Sequence, residues 1–126
     1  MQGMAQLISA PTRIPVPGGK VIDEYVGRVN SGTEAASVAH MVAPGGWTEP
    51  AQTPEFDEFT VVLRGTVVVE VLAPEVARHE VGAGQAIITR AGETVRYSTL
   101  GDETEYVAVC LPAFSPETAN RQDEDA

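Results

Sequence analysis

The sequence predicts an all-β domain, folded as a barrel or sandwich, on three observations. Proline and glycine punctuate it at short intervals: Pro15 to Gly19, Pro44 to Gly46, Gly65, Pro74, Gly82 to Gly84, Gly92 and Gly101. The runs between them are rich in Val, Ile, Thr, Tyr and Phe, which fit a pleated, half-buried surface. No central window repeats apolar residues at the helical period. Strands are expected at about 20–27, 35–43, 55–63, 66–73, 76–81, 85–89, 94–99 and 104–111.

Each element has a local reason. EFTVVLRGTVVVEVL reads as a hairpin with Arg64-Gly65 at its turn, since glycine takes the positive φ a tight turn demands. Alternation groups Phe56, Glu58, Thr60 and Val62 on one face and Asp57, Phe59, Val61 and Leu63 on the other. Both faces are largely apolar, which predicts a second sheet on one side and a second subunit, hence a homodimer, on the other. Ser115-Pro116-Glu117-Thr118 predicts a short helical turn with Ser115 as its N-cap. The last ten residues, ETANRQDEDA, are polar and acidic and are expected to fray or lie on the surface.

Composition narrows the function classes. The chain has 126 residues, enough for one domain, and 43% of them are apolar, enough for a sizeable core. Eighteen carboxylates against eight basic residues give a net charge of −10. No Lys/Arg cluster is visible, so neither nucleic acid nor an anionic membrane is an expected partner. Cys110 is the only cysteine, which excludes an intrachain disulfide and a CxxC site. His40 and His79 are the only histidines, too few for a three-histidine metal centre. No segment has the length of apolar residues that spans a bilayer, and the N-terminus does not read as a signal peptide. A cytoplasmic protein is expected.

Spacing then becomes informative. From Gly46, five residues lead to Gln52, one more to Pro54, three more to Glu58 and six more to Gly65. This resembles the first motif of the cupin superfamily, in which the positions of Gln52 and Pro54 are histidines. Eighteen residues later, GQAIITRAGETVRYST resembles the second motif, with Gly84 and Gly92 in place and Arg90, Val95 and Thr99 where the family has Pro, His and Asn. The resemblance covers about residues 36–112. It implies a cupin double-stranded β-helix, or jelly-roll barrel, with an N-terminal strand or arm over 1–35 and a polar tail over 113–126. The segment 106–118 is similar to the closing strand of small single-domain bacterial cupins. Phe56-Asp57-Glu58 and VVLRG resemble the barrel of the ethanolamine-utilisation cupin, which also lacks the histidines.

The departures shape the functional expectation. The family's metal ligands correspond to Gln52, Pro54, Glu58 and Val95, and proline and valine cannot ligate. A residual metal site would rest on Gln52 and Glu58, and no cofactor is expected. The leading expectation is a small polar molecule in the barrel cavity, bound by His40, Glu49, Gln52, Glu58 and Tyr97. Glu58, a carboxylate in a barrel mouth, is the candidate catalytic acid or base. One alternative is a metal-dependent enzyme of isomerase, lyase or dioxygenase type, with a divalent cation on a Glu/Gln/His centre. Another is a non-catalytic sensor or accessory binding module.

Overall fold

The computed structural model describes residues 4–122. Nine strands form two antiparallel sheets: β1 Thr12–Ile14, β2 Val21–Val26, β3 Ser37–Ala43, β4 Asp57–Arg64, β5 Thr66–Ala73, β6 Ala77–Gly82, β7 Ala86–Thr89, β8 Thr94–Thr99 and β9 Thr104–Leu111. The six-stranded sheet runs β1-β2-β3-β9-β4-β7 and the three-stranded sheet runs β6-β5-β8. A single turn of helix, α1, covers Pro116–Ala119. Ser115 caps it, its hydroxyl accepting from the Thr118 N–H. All eight expected strands are present, and β1 is an additional three-residue edge strand.

The expected hairpin is corrected. β4 pairs with β7 and β9, whereas β5 pairs with β6 and β8. The chain therefore crosses from one sheet to the other at Gly65 instead of folding back on itself. Gly65 has φ +79°, and a Cβ there would collide with the Thr104 side chain and lie 2.7 Å from the Glu103 carbonyl oxygen. Gly65→Ala combines a left-handed backbone with overpacking, so it should destabilise the chain by roughly 2–4 kcal/mol. Urea denaturation of the two proteins checks this, and an unchanged midpoint would refute the crowding.

The alternation in β4 is as expected. Glu58, Thr60 and Val62 are buried, while Val61 and Leu63 are exposed. β8 and β9 contribute Val95, Tyr97, Tyr106 and Ala108 to the same interior, and β5 adds Val67, Val69 and Val71. Outside, Val61, Leu63, Ile88 and Leu111 remain 42–51% exposed. Nothing shows a second copy covering them, so the expected homodimer gains no support.

Two irregular segments complete one end of the barrel. Thr48 and Gln52 bridge to Ser98 and Val95, which lays residues 47–52 beside β8. Gln52 also bridges to Arg121, and the Gln122 N–H donates to the Ala51 carbonyl. The Asn120 amide donates to the Thr53 carbonyl and the Glu55 carboxylate. Residues 120–122 are therefore anchored and exposed, so this part of the tail lies on the surface and does not fray. The expectation for 123–126 lies outside the described residues.

No helix among the described residues is long and apolar enough to cross a membrane.

Candidate functional site

A cavity of about 280 Å³ opens at this end of the barrel. Its walls are mainly apolar, from Ile14, Ile22, Met41, Tyr106, Ala108 and Phe114, and its polar groups are few. Glu49, Gln52, Glu58 and Tyr97, four of the five candidate residues, line it together.

Glu58 lies on the inward face of β4, paired in register with Thr89 and Cys110. Its side chain makes no hydrogen bond among the described residues, and the residue is only 9% exposed. Burial, and then the neighbouring Glu49 charge, push its pKa up to about 7, with Lys20 opposing. Glu24, also buried and on the cavity wall, contrasts with it. The Glu24 carboxylate accepts the N–H groups of Val29 and Asn30 at 2.9 and 2.8 Å, so it is committed to holding that loop. Glu58 has no such structural employment.

Glu49 stands at the centre of a small charge cluster. Its Oε1 lies 3.9 Å from Lys20 Nζ and 3.5 Å from Arg121 Nη2. Burial raises the Glu49 pKa, and the two cations partly offset it. Gln52 Oε1 accepts from Arg121 Nη2 at 3.5 Å, while its backbone is laddered to Val95. The Tyr97 phenol shares a 3.0 Å hydrogen bond with the Thr89 hydroxyl, and burial raises its pKa well above the usual phenol value.

His40 is the exception. Ser37, Ala39, Met41 and Ala43 form the inward set of β3, so His40 points away from the cavity. Its Nε2 lies 2.6 Å from Glu105 on the outer face. The strand turns its small side chains inward, which leaves room for the cavity and excludes imidazole from it. His79 is exposed, as expected. Cys110 lines the cavity with its thiol pushed up by burial, which leaves it inert.

Lys20 and Arg121 were not singled out by the sequence reading. Lys20 is the only lysine in the chain, yet its side chain is just 7% exposed. Its ammonium lies 4.1 Å from the Trp47 ring centroid and 5.3 Å from that of Tyr106. Burial pulls its pKa down, against the attraction of Glu49 and Glu58. A lone lysine at the end of a Pro-Gly-Gly run, opening a strand, was the available signal.

The architecture is that of the cupins. Superposed on oxalate decarboxylase from Bacillus subtilis, 95% of this chain matches 33% of the decarboxylase with a TM-score of 0.79 and 16% identity. A conserved protein of unknown function from Streptococcus pyogenes matches 78% of both chains with a TM-score of 0.65 and 13% identity. No family model matches. Among curated proteins, the chain is 44% identical over 110 residues to a Myxococcus xanthus (strain DK1622) protein named Endoribonuclease YbeY. That match covers 86% of this chain and 36% of the relative, so the chain spans about a third of the relative's length.

This relative corrects two expectations. A protein bearing that name acts on RNA, which displaces a small polar molecule as the expected ligand. It also overturns the exclusion of nucleic acid, which rested on net charge and on the lack of a Lys/Arg cluster in the sequence.

The metal expectation divides. One of the similar Bacillus subtilis oxalate decarboxylase structures, 16% identical, is described by its Mn(II) centres, a property of that protein. The candidate residues of the cavity do not by themselves make a cage for such an ion. Among the described residues no three His, Cys, Asp or Glu side chains converge. Glu49 is already shared by two cations, and the Glu/Gln/His centre fails because His40 lies outside. The ammonium and guanidinium beside Glu49 further oppose a third cation.

Proposed function

We propose that this chain serves RNA processing, and that the Glu58 cavity is where single-stranded RNA meets it. The observation that carries this reading is the 44% identity over 110 residues to a protein named an endoribonuclease. The cavity geometry supports it. At about 280 Å³ the space suits one nucleotide unit and excludes a duplex.

The chemistry follows from Glu58. A carboxyl group that titrates near neutrality, free of structural hydrogen bonds, is suited to move a proton at pH 7. In RNA the adjacent 2′-hydroxyl is the available nucleophile. Ionised Glu58 takes its proton, the 2′-oxygen bonds to phosphorus, and the bond from phosphorus to O5′ breaks. The leaving O5′ takes a proton from water. The products are a 2′,3′-cyclic phosphate and a 5′-hydroxyl, with no oxidant or reductant required.

The test uses an end-labelled single-stranded RNA, with the wild-type chain and Glu58→Gln. We expect cutting that leaves cyclic-phosphate ends, is insensitive to chelator, and is lost in the variant. Since few cations face the cavity, affinity should fall only gently with salt, with a log–log slope of about −0.7 for one phosphate neutralised. Binding without cutting would move the cutting centre outside this chain. A chain that neither binds nor cuts RNA would overturn the reading.

A further inference from the structure

A second cavity, of about 190 Å³, lies beside the first. Lys20, Glu49 and Arg121 line both, with Val16 and Ile22, so this charge cluster is the polar part of the wall between them. Trp47 lines the outer cavity only, whereas Glu58 lines the inner one only.

The wall is electrostatically incomplete. Lys20 and Arg121 share one carboxylate oxygen, Glu49 Oε1, at 3.9 and 3.5 Å. Charge-assisted hydrogen bonds are normally about 2.7–2.9 Å long, so neither cation is saturated by this contact. Lys20, although buried, has only that long contact and two aromatic faces among the described residues. While Glu58 is protonated, two cations against one carboxylate leave one positive charge, in a chain whose net charge is −10. A phosphodiester carries one negative charge and two free oxygens, enough to give each cation the short partner it lacks.

Resting on the RNA-processing reading, we propose that Lys20 and Arg121 form a phosphate-binding pair in the wall between the cavities, taking one phosphodiester of an RNA strand. The phosphate approaches from the outer cavity, over Trp47. The adjoining nucleotide then faces Glu58 in the inner one. Glu49 keeps the two cations together when no phosphate is present.

Trp47 is the only tryptophan, and its ring carries the Lys20 ammonium, so its fluorescence reports directly on the wall. The experiment titrates that fluorescence in the full chain with inorganic phosphate, with the dinucleoside monophosphate UpA and with adenosine. We expect saturable changes with phosphate and UpA, and none with adenosine. Arg121→Gln, a change at a half-exposed side chain, should weaken UpA binding at least about tenfold, and Arg121→Lys should restore most of it. Lys20→Met should remove the response, with circular-dichroism melting run alongside to separate lost binding from lost fold. An absent response to every phosphate, an equal response to adenosine, or unchanged affinity in Arg121→Gln would overturn the pair. Phosphate binding by a chain that ignores single-stranded RNA would keep the pair and reject the RNA reading. RNA cutting with undiminished affinity in Arg121→Gln would do the reverse.

Discussion

Replacing Glu58 by Gln should stabilise the protein at pH 8 by roughly 3 kcal/mol and change it little at pH 4. The sign follows from proton binding. Burial raises the folded-state pKa of Glu58 from 4.5 to about 7. Between those values the folded chain holds a proton that the unfolded chain has released. Stability therefore falls as pH rises through this window, and the loss is complete above it. Below pH 4.5 both states are protonated and the penalty vanishes. Glutamine keeps the shape and the hydrogen-bonding capacity but cannot ionise, so the variant escapes the penalty. Comparing wild type with variant at each pH cancels the titrations of groups that do not interact with Glu58. Chemical denaturation at pH 4, 6 and 8 makes the measurement, and a difference that does not grow with pH would refute the burial argument. The same substitution should lower RNA cutting by about 10²–10⁴-fold, the usual contribution of a positioned acid or base. Gain of stability with loss of activity is what a carboxylate kept for function, at a cost to the fold, should show.

Much of the fold was legible because local pattern and burial coincide. Alternation in β4 placed Glu58 with Thr60 and Val62 inside, and Ser115 announced the cap of α1. Alternation does not name a strand's partner, so β4 and β5 looked like a hairpin although they lie in different sheets. In β3 it failed for a different reason. Both faces are apolar enough to be buried, and the inward one is marked by small residues, Ala39 and Ala43, instead of large ones. Val38, His40 and Val42 therefore seemed an equally good interior. The site was half legible. Gln52, Glu58 and Tyr97 were found through motif spacing and parity, and Glu49 only as a carboxylate near the barrel mouth whose direction Pro50 left unreadable, while Lys20 and Arg121 lie outside both motifs. They reach the cavity through the start of β2 and through a tail whose acidic composition suggested solvent. Net charge misled for a related reason: it sums over the surface, whereas two of the eight basic residues stand together at the cavity wall.

The largest loss of stability around the site should come from Glu49→Gln, and its size should depend on pH. In the wild-type chain Glu49 is the shared partner of Lys20 and Arg121. Arg121 is partly solvated and tolerates the loss. Lys20 is not, and removing one partner of a buried pair costs about 3–5 kcal/mol when the remaining charge is left uncompensated. Compensation is available from Glu58, because both groups feel each other across the cavity. Burial still raises the Glu58 pKa without Glu49, but the added repulsion disappears, and ionised Glu58 becomes the counter-charge for Lys20. At pH 5, where Glu58 is still neutral, the variant should lose roughly 3–4 kcal/mol. At pH 8, where Glu58 is ionised, it should lose only about 1–2 kcal/mol. Lys20→Met should behave differently. Its side chain can fill the space against Trp47 and Tyr106, and Glu49 keeps Arg121 as a partner, so the cost stays small at acid pH. With the Lys20 charge gone, the neighbouring carboxylates lose a counter-ion and the cost grows with pH. Opposite pH trends in the two variants, measured by denaturant titration, are the signature of one coupled cluster. Parallel trends would mean that Glu58 does not exchange partners with Glu49, and that the wall and the inner carboxyl act independently.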